Sequence, residues 1–152
     1  MMNKRYLVVS LIGCTLMGLS WVTPRKLIWN RTESVPVGLY WVQNAASIPK
    51  GYLIVFRFQD RWLLKEVIGV QDDLFCVSPE GNFSVNGAWL GKAKKIDTSG
   101  NPLLRVLGCQ KVPAGEWVVR GYGERSFDSR YFGTVKRKQI LGKAVRIGGK
   151  EI

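Results

Sequence analysis

Tyr52-Leu53-Ile54-Val55-Phe56-Arg57-Phe58 and Trp62-Leu63-Leu64-Lys65-Glu66-Val67-Ile68-Gly69-Val70 decide the architecture of this chain of 152 residues. Both runs are short and rich in β-branched and aromatic residues, as strands are. Working outward, similar segments recur at 38–42, 74–77, 83–85, 88–90, 116–120 and 140–147, broken by Gly, Pro and Asn. No sustained 3.6-residue period follows residue 30, and there is no internal repeat. Asn86-Gly87 suits the left-handed torsions of a type I′ turn, so a hairpin is expected there. Residues 92–102, with Asp97, Ser99, Gly100 and Asn101, read as an exposed loop. The fold class is mainly β, a single twisted, partly closed antiparallel domain.

The N-terminus differs in kind. Lys4 and Arg5 precede 17 uncharged residues from Tyr6 to Val22, and Pro24-Arg25-Lys26 follow. That length is the lower limit for a membrane helix and slightly long for a signal-peptide core. Residues 1–22 are therefore expected to be an N-terminal membrane helix or a cleaved export signal, and residues 23–152 the β domain. Orientation by charge is open, because Arg25, Lys26 and Arg31 rival Lys4 and Arg5.

Formal charge is +12, and without residues 1–22 there remain 21 basic against 11 acidic residues, or +10. The basic charge belongs to the β domain; it favours acidic partners, nucleic acid or an anionic lipid surface, or else simply keeps the domain soluble beside a membrane. The Lys and Arg residues are scattered and carry no nucleic-acid-binding signature, so no nucleic acid partner is expected. Histidine is absent, which excludes a Ser/His/Asp triad, a Cys/His dyad and a His-ligated zinc. Acid–base work must fall to Lys, Asp, Glu, Tyr or Cys, and a desolvated lysine is an effective base. Cys14 lies in the apolar run, leaving Cys76 and Cys109 as an even pair; a disulfide between them would contribute roughly 3 to 4 kcal/mol on the chain-entropy model. There is no CxxC, and neither a metal nor a cofactor is expected.

Three segments could carry chemistry. In Asn30-Arg31-Thr32-Glu33-Ser34-Val35-Pro36-Val37-Gly38-Leu39-Tyr40, Pro36 restrains Val35 and Gly38 permits a turn, so Ser34 would sit on a rigid, exposed corner. Alone, such a serine is a turn residue. On the strand 62–70, Lys65 shares a face with Leu63 and Val67 while Glu66 points away. Burial there would lower the lysine pKa and leave a neutral amine; the alternative is an edge lysine whose head reaches water. In Ser126-Phe127-Asp128-Ser129-Arg130-Tyr131-Phe132-Gly133, Asp128 and Arg130 lie two apart on an extended chain and can pair.

Together, and in this order, the three segments resemble the type I signal peptidases, in particular the TraF peptidases of conjugative transfer. Ser34-Val35-Pro36-Val37-Gly38-Leu39-Tyr40 is similar to that subgroup's S-x-P-x-G-L-Y, Leu64-Lys65-Glu66-Val67 to the lysine strand, and 126–133 to S-x-D-S/G-R-Y-F-G. The chain departs from general signal peptidases in having one residue fewer between serine and proline, and in Gly121-Tyr122-Gly123 where G-D-N is usual.

The resemblance implies a signal-peptidase-like antiparallel β domain of the LexA type. It also implies a serine endopeptidase in which Ser34 is the nucleophile and Lys65 its general base. By the same resemblance Ser126 orients the lysine, Asp128 and Arg130 support that loop, and the Ser34 N–H with the Thr32 hydroxyl forms the oxyanion hole, a donor of that kind supplying about 2.7 to 4 kcal/mol. The implied partner is an extended segment of an exported membrane or pilin precursor with small residues before the cut, added as a strand near Arg31 and Leu64. Membrane lipid is the second partner, and the implied location is the bacterial inner membrane with the domain facing the periplasm, or the periplasm if 1–22 are cleaved. Two other readings share these residues: an inactive pilus-assembly subunit that holds pilin, and a peptide cyclase or transferase in which a substrate amine resolves the acyl-enzyme.

Overall fold

The structure, a computed structural model, describes residues 27–147. The expected membrane segment 1–22, Cys14 and the domain boundary after residue 22 lie outside the described residues. Among those described, no helix is long and apolar enough to cross a membrane.

The elements in chain order are β1 (Leu27–Asn30), β2 (Gly38–Gln43), β3 (Leu53–Phe58), β4 (Arg61–Gly69), β5 (Leu74–Val77), β6 (Asn82–Val85), β7 (Ala88–Lys92), β8 (Gly108–Lys111) and β9 (Glu116–Arg120). A single helical turn α1 (Ser129–Phe132), β10 (Val135–Lys136) and β11 (Ile140–Arg146) complete them. A seven-stranded sheet has the order β1-β2-β11-β3-β4-β9-β10, and a four-stranded sheet β7-β6-β5-β8. Every strand pair is antiparallel. The expected antiparallel β architecture is the one observed.

The larger sheet is apolar on both faces. Val55 and Leu64 pack with Val35, Tyr40, Val42 and Ala144 on one side, while Ile54, Phe56 and Val67 pack with Ile48, Val119 and Val135 on the other. Three consecutive residues of β3 are thus buried, which is why 52–58 is a continuous apolar run and not an alternating one. Each such side chain contributes about 1.5 to 3 kcal/mol. A third cluster, built on Phe75, Val77, Phe83 and Val85, meets Val118 and Tyr131 and seats the smaller sheet against the larger. Asn86 (φ 52°) and Gly87 (φ 79°) form the expected left-handed pair between β6 and β7.

The strands β1, β8 and β10 and the turn α1 are not among the elements expected from the sequence. β1 is too short, and too close to the preceding basic cluster, to show a period. β8 is exposed throughout and holds no β-branched residue; its strand conformation comes from pairing with β5, where Cys76 faces Cys109 and the two are disulfide-bonded. Asp128 and Arg130 do not lie on an extended chain as expected. Asp128 is the N-cap of α1 and accepts from the Arg130 N–H at 3.2 Å, because a carboxylate satisfies orphan donors at a helix start.

One consequence of topology prepares the site. β9 pairs with β4 only at Glu66, Val67 and Gly69, so the first half of β4 has no partner strand on that edge.

Candidate active site

Ser34 sits in the turn between β1 and β2, half-buried. The turn is held from inside by Asn30, itself 7% exposed. Its Nδ2 donates to the carbonyls of Thr32 (2.8 Å), Val35 (3.0 Å) and Pro36 (3.2 Å), and its Oδ1 accepts from the Thr32 N–H (3.2 Å) and hydroxyl (2.9 Å). The buried Tyr40 hydroxyl adds a bond to the Pro36 carbonyl at 2.6 Å. The corner is therefore held from inside by bonds to three carbonyl groups of its backbone and to the Thr32 N–H and hydroxyl. Thr32 Oγ1 lies 3.0 Å from Ser34 Oγ.

Lys65 projects from the unpartnered half of β4 and is 5% exposed. Among the described residues its ammonium has no hydrogen-bond or ion-pair partner. Burial drives its pKa down from 10.5 to about 8; the charge of Asp128 partly opposes this and that of Arg130 reinforces it. Leu63 and Val67 share its face in one apolar cluster, as alternation requires.

Ser126 is 6% exposed and its Oγ has no hydrogen-bond partner. Behind it stands a buried ion pair: Arg130 Nε donates to Asp128 Oδ1 and Nη2 to Oδ2, both at 2.8 Å. The same guanidinium reaches the carbonyls of Ser126 (3.1 Å) and Lys92 (3.0 Å). Asp128 Oδ2 also accepts from the Gly121 N–H at 3.1 Å. A bidentate pair with its remaining valences filled holds a loop in one geometry.

The segment Gly121-Tyr122-Gly123 joins these parts. The Tyr122 N–H donates to the Ser34 carbonyl at 2.7 Å. A Cβ on Gly121 would overlap Ser126 Oγ and lie 2.9 Å from Ser34 Cβ, so only glycine lets the two serines converge. Ser34, Lys65, Ser126 and Thr32 all line one cleft of about 570 Å³, together with Arg31 and Leu64. A larger cavity, of about 1010 Å³, lies beyond Gly123.

Asn30 and Gly121 received no role from sequence reasoning. The signal for Asn30 was a polar residue directly before the serine corner, and for Gly121 a glycine where the family's aspartate-containing triplet begins.

The chain belongs to the signal peptidase family, peptidase S26, which matches residues 2–147. It is 31% identical to a plasmid transfer protein TraF of Escherichia coli over 156 residues, covering 83% of this chain and 84% of that one. A probable signal peptidase I-2 of Synechocystis sp. is 32% identical over 105 residues, covering 62% of this chain and 45% of that protein. Among solved structures, a signal peptidase I from Enterococcus faecalis aligns at a TM-score of 0.45 with 23% identity, covering 64% of this chain and 96% of the other.

Proposed function

We propose that this chain is a membrane-anchored serine endopeptidase that cuts exported precursors after small residues, with Ser34 as nucleophile and Lys65 as general base. A conjugative pilin precursor is the substrate class this reading favours, given the plasmid transfer relatives. Residues 1–22 would be the anchor and 23–152 the peptidase domain, facing the periplasm. The observation that carries the reading is Lys65, a buried amine without a partner, on the cleft that also holds the Ser34 hydroxyl.

The chemistry follows from that pair. Ser34 Oγ attacks the scissile carbonyl carbon as its proton passes to neutral Lys65 Nζ; the resulting ammonium then protonates the leaving amine, and an ester to Ser34 remains. Water attacks the ester carbonyl as Lys65 takes its proton; the bond to Ser34 Oγ then breaks, the lysine ammonium returns the proton to that oxygen, and the product with its new carboxyl end departs. Ser126 Oγ, buried and unbonded on the same cleft, would receive the lysine amine, and the Asp128–Arg130 pair would keep its loop in position. The Ser34 N–H and the Thr32 hydroxyl would hold the oxyanion. Thr32 has one proton and donates it to Asn30 in the free protein, so its service requires a rotation toward substrate. An extended substrate would add along the unpaired half of β4.

The test is cleavage of a pilin-type precursor by the wild-type and Ser34→Ala chains. Loss of cleavage with unchanged folding is expected, and cleavage retained by the variant ends the proposal. Hydrolysis yields fragments whose masses sum to the precursor plus one water, whereas transfer to an internal amine does not add water.

A further inference from the structure

The larger cavity, about 1010 Å³, is lined by neither Ser34 nor Lys65, yet Gly123 lines both it and the smaller cleft. The two are thus neighbouring reaches of one surface, separated by the Gly121-Tyr122-Gly123 segment that holds the Ser34 carbonyl. Were a polypeptide to lie across Ser34 with its amino-terminal side in the smaller cleft, the larger one would be the neighbouring surface for its carboxyl side.

The lining of this second reach is of two kinds. Lys92, Lys94, Lys95 and Arg120 face it against two carboxylates, those of Glu80 and Glu124. Among the described residues none of the three lysines is within ion-pair distance of a carboxylate; Lys92 and Lys95 act on Glu80 from further off and help hold its pKa down, which leaves positive charge in excess over the two acids. Between them stand apolar surfaces: Trp89 is 69% exposed, Ile96 56% and Tyr122 54%. Exposed aromatic and aliphatic surface ringed by an excess of cations fits a ligand that is both apolar and acidic.

Recognition there falls to side chains. β7 is an edge strand, but the carbonyls of Leu90 and Lys92 are occupied by Arg120 Nη1 (3.2 Å) and Arg130 Nη1 (3.0 Å). Strand addition to this edge would have to displace two guanidiniums, one of which also holds the Ser126 carbonyl.

From this continuity and charge we propose that the larger cleft binds the part of the substrate on the carboxyl side of the scissile bond, and that it selects a segment combining acidic residues with an aromatic or aliphatic one. The inference rests on the peptidase reading for its direction. It assigns to Lys92, Lys94 and Lys95 a role in choosing substrate, and to Trp89 and Ile96 the apolar contact.

The experiment uses the full chain in nonionic detergent and separates binding from turnover. Two eight-residue peptides with free amino ends, one carrying four Asp or Glu residues and a Phe, the other with Asn and Gln in their place, are titrated into the Ser34→Ala chain. The acidic peptide is expected to bind about tenfold more tightly at low salt, a difference lost in 0.5 M salt and in the Lys94→Glu/Lys95→Glu variant. Precursor peptides differing only after the cut should show the same tenfold preference in kcat/KM with Ser34 intact. The lysine double variant should abolish this preference, so that acidic and neutral precursors are cut with equal kcat/KM. Equal binding of the two peptides overturns the inference, as does a preference that survives in the variant. So does Lys94- and Lys95-dependent capture by phosphatidylglycerol vesicles without any acidic-peptide preference, which would assign the cations to lipid. Charge-dependent binding with no cleavage of any precursor supports the cleft assignment and sinks the peptidase reading; cleavage with equal binding does the reverse.

Discussion

Replacing Lys65 by Met should make the protein more stable while destroying its activity. Lys65 is buried, and its pKa lies at about 8 instead of 10.5. At 1.36 kcal/mol per decade this corresponds to a cost of about 3 kcal/mol for keeping the ammonium in the folded state at pH 7. The sign follows from proton counting. Between about pH 8 and 10.5 the unfolded chain holds a proton on this amine that the folded chain lacks, so wild-type stability rises with pH through that window; below about pH 8 both states hold it and the whole cost stands. Methionine has a similar length and volume and no charge to desolvate. Lys65→Met should therefore gain about 3 kcal/mol at pH 7 and about half that at pH 9.5, with the gain gone above pH 10.5. Urea unfolding of the full chain in detergent, followed by tryptophan fluorescence with the disulfide intact, reads this as a shift in midpoint at constant slope. A variant no more stable than wild type at pH 7, or a gain that does not shrink with rising pH, refutes the claim that this lysine is held desolvated.

The same amine sets the pH dependence of turnover. Only the neutral form accepts a proton, so kcat/KM should climb about tenfold per unit below the lysine's pKa of about 8 and level off above it, measured with a fluorogenic precursor peptide; a profile flat from pH 6 to 9 contradicts it. Asn30→Ala removes the side-chain donor to the carbonyls of Thr32 and Val35, while the Pro36 carbonyl keeps the Tyr40 hydroxyl, and should cost about 2 to 3 kcal/mol in urea unfolding and at least about tenfold in kcat. Gly121→Ala forces a methyl group against Ser126 Oγ and Ser34 Cβ; overpacking of this kind costs about 1 to 3 kcal/mol, and steady-state kinetics should show a loss in kcat well beyond what the stability change explains.

Most strands were legible because their cue is local. Leu74–Val77 and Glu116–Arg120 coincide with the expected bounds, and 62–70 became Arg61–Gly69, since β-branched and aromatic residues advertise a pleated, buried surface. The strand β8 and the turn α1 were not legible. One depends on a partner strand and a disulfide to a residue far earlier in the chain, the other on a carboxylate capping its own next residues. The three segments singled out for chemistry do line one cleft, whereas Asn30 and Gly121 came to light only through their contacts.

The order of residues was enough to state a β domain, the exclusion of any histidine mechanism and the family resemblance, because composition, spacing and motif order are properties of the chain itself. Tertiary structure alone decided that Lys65 is dry, that Ser126 Oγ is left without a partner, that Gly121 is the gap through which two serines meet, and that a cationic groove continues past Gly123. Desolvation, steric room and charge clustering are sums over residues distant in sequence, and they have no value until the chain has closed on itself.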